Sequence, residues 1–204
     1  WGCRATPDTD AVLEGTPAIT PASLDLVAWD LVGQASVVDG ELLLSSCDAY
    51  PDGTAWYPEA LPVGNGFTVG FDAYFTDADA AGADGLCLFI ANVSASQSAH
   101  ISSQPERSVS VCLDTFGNVD VDTDSVVQIA VGGVVLTSAE LDFDLSTESS
   151  TYTSYSVKWD PDSKLLTVTY PVAAGGAGSL STAIDLTAPT LGLVDRQLRA
   201  RIGF

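Results

Sequence analysis

Apolar and polar residues alternate along much of the chain with a period of two. Between positions 67 and 75, Phe67, Val69, Phe71, Ala73 and Phe75 alternate with smaller or more polar neighbours, the pattern of a strand that buries one face. Shorter apolar and β-branched runs at 41–45, 86–93, 109–113, 126–131, 134–136, 155–159, 165–170 and 198–204 predict further strands. Turn chemistry separates them. Asp39-Gly40 and Asn65-Gly66 each precede a strand, and Asp160-Pro161-Asp162-Ser163 joins 155–159 to 165–170 as a hairpin, because Pro presets φ and Asp bonds the turn backbone. No window of about a dozen residues carries a helical apolar stripe, so helix is minor. Many short strands at this spacing predict an all-β fold, an antiparallel β-sandwich or jelly roll. Residues 1–23, with Pro17 and Pro21, read as an extended N-terminal arm, and 24–204 as one sandwich domain. The Gly- and Ala-rich stretch 173–179 reads as a flexible loop between late strands.

Charge narrows the partners. Seven Lys and Arg against 27 Asp and Glu leave a formal charge of −20, so the clustered cations that phosphate binding needs are missing, and nucleic acid and anionic membranes are excluded as partners. The acidity is not that of a disordered chain, because 46% of the residues are hydrophobic. No apolar run reaches the length of roughly 18 residues required to span a membrane as a helix, so no membrane insertion is expected. The acids comprise 21 Asp and only 6 Glu, a bias toward turns, caps and oxygen-ligand cation sites. The absence of Met, with Trp1 first, implies a processed or excised piece.

Four cysteines, Cys3, Cys47, Cys87 and Cys112, occur without a CxxC pair and beside the single histidine His100, which leaves a zinc site or thioredoxin motif unsupported. The even count fits two disulfides in an oxidising compartment, with four buried free thiols as the alternative. Hydrolase, P-loop and zincin motifs are absent, and His100, in a Ser-rich stretch, reads as a solvated loop residue. Arg196, Arg199 and Arg201 read as partners for the surplus acids. Trp56 and Trp159 read as packing residues rather than sugar platforms. Asp77-x-Asp79-x-x-Gly82 and Asp120-x-Asp122-x-Asp124 are not EF-hands, since their twelfth positions are Leu88 and Val131 where a bidentate Glu is needed. Yet Asp114, Asn118, Asp120, Asp122 and Asp124 lie within eleven residues. Carboxylates so crowded are either solvated or share a cation, and the cation would be Ca²⁺.

The order of the pieces is more specific than any one of them. Gly53-Thr54-Ala55-Trp56-Tyr57, Gly66-Phe67-Thr68-Val69-Gly70-Phe71, Ala83-Asp84-Gly85-Leu86-Cys87-Leu88-Phe89, Val109-Ser110-Val111-Cys112-Leu113-Asp114-Thr115-Phe116-Gly117-Asn118, Tyr155-Ser156-Val157-Lys158-Trp159-Asp160 and Ile202-Gly203-Phe204 follow one another. This succession resembles the L-type lectins, the legume lectins and their relatives, over residues 29–204. The resemblance implies the concanavalin A-like sandwich and a sugar site in which Asp84, after a cis peptide, accepts sugar hydroxyls. Asn118 would donate to the sugar and Phe116 would offer an apolar face. Calcium would be held by Asp114, the Phe116 carbonyl and Asn118, with Asp122 or Asp124 as the further carboxylate, because the family's second calcium Asp falls at Thr123 between them.

Two departures concern metal. The family's transition-metal site uses a Glu two residues before the calcium Asp and a His fourteen after it; here these are Cys112 and Gln128, which do not rebuild an octahedral oxygen and nitrogen shell. No transition metal is expected. A glycine that commonly donates a backbone N–H to the sugar has no counterpart in 92–107. The family fold brings the strands of Cys87 and Cys112 near each other, which favours Cys87–Cys112 and leaves Cys3–Cys47 to pin the arm, although three pairings are open to four cysteines. Asn92-Val93-Ser94 is an N-glycosylation sequon. The expectation is a calcium-dependent carbohydrate-binding module of a secreted or cell-surface protein, extracellular, not an enzyme, meeting a glycan or polysaccharide and other domains or copies of itself. The alternative is a structural or adhesion module that kept the fold and lost the sugar site. A glycoside hydrolase on the same sandwich is disfavoured, since residues 112–117 lack both glutamates of an E-x-D-x-x-E motif.

Overall fold

The structure is a computed structural model that describes residues 2–7, 28–44, 53–76, 85–115, 125–145 and 152–204. Among the described residues, fourteen strands, numbered along the chain, form two seven-stranded sheets in which every pairing is antiparallel. The first sheet contains, in spatial order, Ala177–Ala183 (β13), Leu165–Pro171 (β12), Thr153–Asp160 (β11), Phe67–Thr76 (β6), Gly2–Pro7 (β1), Glu41–Leu43 (β4) and Ser36–Val38 (β3). The second contains Val134–Glu140 (β10), Val126–Val131 (β9), Ser108–Asp114 (β8), Gly85–Ala91 (β7), Arg201–Gly203 (β14), Gly53–Trp56 (β5) and Asp30–Gly33 (β2). A single 3₁₀ turn, Val63–Asn65, is the only named helical element among the described residues. The expected all-β antiparallel sandwich is therefore the observed fold.

Alternation explains the layering. Phe67, Phe71, Ala73 and Phe75 of β6 are buried, as are Val157 and Trp159 of β11, and they meet Leu88, Ile90, Val111, Leu113 and Ile129 of the second sheet in one core. Trp159 and Trp56 are packing residues as expected, each with its indole N–H satisfied: Trp159 Nε1 donates to the Ile184 carbonyl at 3.1 Å and Trp56 Nε1 to the Gln97 carbonyl at 2.7 Å. The hairpin at 160–164 forms as read. Asp160 Oδ1 accepts the N–H groups of Asp162 and Ser163 at 2.9 and 3.2 Å, bonds that hold its carboxyl below the usual range, and Lys164 takes φ 52° to close the turn. Arg199 pairs with Asp195 at 3.0 Å, and Arg201 lies 3.6 Å from Asp30 while donating to the Tyr57 and Pro58 carbonyls.

Several segments differ from the sequence reading. Residues 177–179, read as part of a loop, open β13, because small residues fit an edge strand once Gly178 lies against the Tyr170 ring. The last strand begins at Arg201 rather than 198: Asp195 Oδ1 accepts the N–H groups of Gln197 and Arg199, and Leu198 has φ 57°, so the chain turns there instead of pairing. Gly2–Pro7, within the segment read as an arm, lies hydrogen-bonded between β4 and β6. The boundary at 23–24 lies outside the described residues.

The central strands of the second sheet, β7, β8 and β9, are buried on both faces. Every residue of β8 is buried: Val109, Val111 and Leu113 face the main core, while Ser110 and Cys112 lie on the other side. There Trp56, Phe89, Cys87, Cys112 and Ala91 are covered by residues 92–107, whose Ala99 packs into the same cluster. Thr54 Oγ1 donates to the Ala99 carbonyl and accepts from the Ala99 N–H, both at 2.9 Å, and Ser110 Oγ donates to Gln104 Oε1 at 2.6 Å. Cys87 and Cys112 are directly opposite in the β7–β8 ladder and form a disulfide, the pairing favoured by the resemblance.

Two measurements follow from this packing. The Cys87–Cys112 bond closes a loop with a sequence separation of 25, so Cys87→Ala with Cys112→Ala should lower the unfolding free energy in urea by about 3 kcal/mol on the chain-entropy argument. Tyr155 is buried against Phe71, and burial pushes its hydroxyl up to about 12, against a smaller opposing effect of the Thr153 hydroxyl bonded to it. Its folded pKa is raised, so its contribution to stability is full below the ordinary value of 10.0 and is lost as pH rises toward about 12. Alkaline denaturation should therefore lose part of its slope in Tyr155→Phe.

Candidate functional site

Gly85 and Asp114 are paired across the β7–β8 ladder, and Asp114 is in turn paired with Val126 of β9. Three strand ends thus form one row at one end of the second sheet. Asp84 directly precedes this row in sequence at Gly85, and 116–124 joins Asp114 to β9, so both sequence motifs issue from the same place. Gly85 is required here. Its φ is 123°, and a Cβ on it would stand 2.0 Å from the Leu113 carbonyl oxygen, so the two motif strands approach closely only because the residue after Asp84 has no side chain.

Asp114 is buried at the row, 5% exposed, and its Oδ2 accepts a hydrogen bond from Gln128 Nε2 at 3.1 Å. A carboxylate in that position is costly without donors or a cation, and the amide supplies one donor. Ser125, at φ 67°, is buried beside the row; its hydroxyl accepts from the Leu145 N–H at 2.8 Å and reaches Asp144 Oδ1 at 3.5 Å. These contacts fix where the segment after 124 re-enters β9. Of the residues expected to touch sugar or calcium, Asp114 is described. Asp84, Phe116, Asn118, Asp122 and Asp124 lie outside the described residues, as does Cys47, the expected partner of Cys3.

Asp114 is the one described residue of the expected calcium set. Asp114 offers a buried carboxylate at the head of the run holding Asn118, Asp122 and Asp124. The two positions where the resemblance expects Glu and His are engaged otherwise: Cys112 sulfur is bonded to Cys87, and Gln128 donates to Asp114. Among the described residues, no three His, Cys, Asp or Glu side chains group to hold a metal ion.

Residues 92–107 are tied down. The Gln97, Ala99 and Ser103 amides donate to the Ser94 carbonyl, Thr54 Oγ1 and the His100 carbonyl at 3.2, 2.9 and 3.0 Å. His100 Nδ1 lies 3.0 Å from Ser102 Oγ within its own turn. Asn92 of the sequon is exposed at the end of β7, and its Nδ2 donates to the Gly192 carbonyl at 3.1 Å. This overlay was not legible in the sequence, although Thr54, a polar residue at the head of the run Ala55-Trp56-Tyr57, was the available signal.

No protein-family model matches the sequence, and neither does any curated protein. Among solved structures, lectin I of Ulex europaeus in complex with the methyl glycoside of α-L-fucose is 18% identical, covering 86% of this chain and 82% of the lectin with a TM-score of 0.70. Peanut lectin with a nonapeptide is 19% identical over 98% of this chain and 88% of its own, TM-score 0.70. Winged bean acidic lectin complexed with methyl-α-D-galactose is 18% identical over 98% and 88%, TM-score 0.68. Nearly the whole chain superposes at an identity too low to carry residue roles, and the conclusion is one of architecture: this chain has the β-sandwich fold of the legume lectins.

Proposed function

We propose that the chain is a calcium-dependent carbohydrate-binding module of a secreted or cell-surface protein. The observation that supports it most is the row Gly85–Asp114–Val126, which sets the origins of both motif segments side by side at one end of the sheet on a lectin fold. In this reading Asp84 accepts sugar hydroxyls, Asn118 donates its amide to the sugar, and Phe116 covers an apolar face of the ring. Asp114, the Phe116 carbonyl, Asn118 and one of Asp122 and Asp124 hold the cation. Calcium, when bound, would offset the crowded carboxylates and stiffen the segment that carries the sugar contacts. Gln128 keeps Asp114 oriented from behind. With Cys112 and Gln128 engaged, the reading has no transition metal, and with no pair of glutamates at 112 and 117 it has no hydrolysis. The disulfide fits an oxidising, extracellular setting, in which the exposed Asn92 would be open to glycosylation.

One observation favours the alternative, a structural or adhesion module without a working sugar site. The segment 92–107, from which family members commonly donate an amide to the sugar, spends its Gln97, Ala99 and Ser103 amides on itself and on Thr54.

Fucosides and galactosides, the ligands of two of the similar lectins, are the first probes. On a glycan array the protein should bind at least one ligand in calcium, lose it in chelator, and lose it in Asp84→Ala with its melting temperature unchanged. Absence of binding at millimolar sugar, with calcium present, overturns the sugar reading in favour of the alternative. Calcium alone at about 100 times its dissociation constant should add about 2.7 kcal/mol, a rise in Tm of roughly 5–10 °C for a chain of this size. A chelator that leaves Tm where it was rules the cation out.

A further inference from the structure

Among the described residues, four other than glycine have positive φ: Asp39, Ser125, Lys164 and Leu198. Three of them sit in exposed turns, where a left-handed residue reverses the chain. Ser125 differs. At φ 67° it is only 3% exposed, and it stands directly before Val126, the partner of Asp114 in the ladder. A side chain held in this conformation costs free energy and persists only where its surroundings over-determine it.

One turn supplies those surroundings. The Ser125 carbonyl accepts the Leu141 N–H at 2.9 Å, and the Ser125 hydroxyl accepts the Leu145 N–H at 2.8 Å. From that hydroxyl to Asp144 Oδ1 the distance is 3.5 Å, at the limit of a hydrogen bond, so Leu145 is the anchor. Leu145 is 1% exposed and packs in the main core, which makes its amide a fixed point. The turn is held a second time where Asp142 Oδ1 accepts the Ala173 N–H at 2.9 Å. Ser125 thus ties the start of β9, beside the Asp114 row, to a turn fastened both to the core and to the chain after β12.

We propose that Ser125 is a positioning residue for the cation site and couples that site to the turn 141–145, an inference that rests on the calcium reading given above. With its hydroxyl bonded to the Leu145 N–H, the start of β9 is ordered before a cation arrives, and binding does not have to order it. Coupling of this kind is reciprocal: whatever holds the turn favours the cation, and the cation in turn holds the turn. Alanine at 125 would leave the Leu145 N–H buried without its acceptor. Glycine would adopt the left-handed φ freely but would bring no anchor.

Calcium chloride titrated calorimetrically into the chelator-stripped chain should bind Ser125→Ala and Ser125→Gly between about threefold and tenfold more weakly than the unsubstituted chain, the worth of one hydrogen bond. Ser125→Gly keeps the backbone path available, so a glycine variant that binds as tightly as the serine chain shows that the hydroxyl is not needed and overturns the proposal. Hydrogen exchange tests the coupling without any variant. Calcium should slow exchange of the Leu145 amide more than that of Val157, which is buried in β11 of the first sheet. Equal slowing of the two, or none, overturns the proposal whether or not the variants fold. An unsubstituted chain that takes up no calcium at millimolar concentration overturns the calcium reading and this coupling with it, whereas uptake that both variants share in full overturns the coupling alone.

Discussion

The second sheet has no face turned fully to water, and much of the molecule is arranged around that constraint. Its central strands β7, β8 and β9 bury their inward residues against the first sheet, and β7 and β8 bury their outward residues beneath 92–107. A two-sided sheet needs apolar or fully bonded side chains on both faces, which is why 86–91 reads as a continuous apolar run rather than as alternation, and why Ser110, between Val109 and Val111, is hydrogen-bonded. The polar groups that remain on the outer face are bonded there, Thr54 to Ala99, Ser110 to Gln104, Gln128 to Asp114. Removing the overlay would expose Trp56 and Phe89 together with Thr54 and Ser110, so the cover and the sheet are one unit.

The candidate site inherits its rigidity from that unit. Asp114 stands at the end of a strand that is buried along its whole length, two residues beyond a cysteine tied to the neighbouring strand and across from a glycine that lets the two backbones close up. Behind Asp114 stand that covalent bond, at Cys112, and the Gln128 amide that donates to its carboxylate, and both brace the strand ends.

How far the residues foretold this depends on the kind of signal. The sandwich, the long strand β6 and the turn at 160–163 follow from local rules, alternation and turn chemistry, that need few distant partners. The Cys87–Cys112 pairing needed the family fold, since spacing alone leaves three choices. β13 was read partly as a loop because Gly and Ala have weak strand preference, and its place was decided by Tyr170 and β12 instead. β1 was hidden for a similar reason: Gly2–Pro7 has no alternation of large apolar residues, and its position comes from the two strands on either side. At the candidate site, the motifs named Asp84 and Asp114, while the role of Gln128 emerged only from a cross-strand contact between residues fourteen apart in sequence.

The bond between β7 and β8 has a mechanical meaning. If the chain were drawn out from its ends, residues between Cys87 and Cys112 would be bypassed by the covalent tie. With a sequence separation of 25 and about 3.3–3.6 Å per extended residue, some 80–90 Å of contour is withheld from extension. The β7–β8 turn and its overlay would remain a closed loop while the rest of the sandwich yielded, and the load would be carried from Cys87 to Cys112 directly, two residues from Asp114.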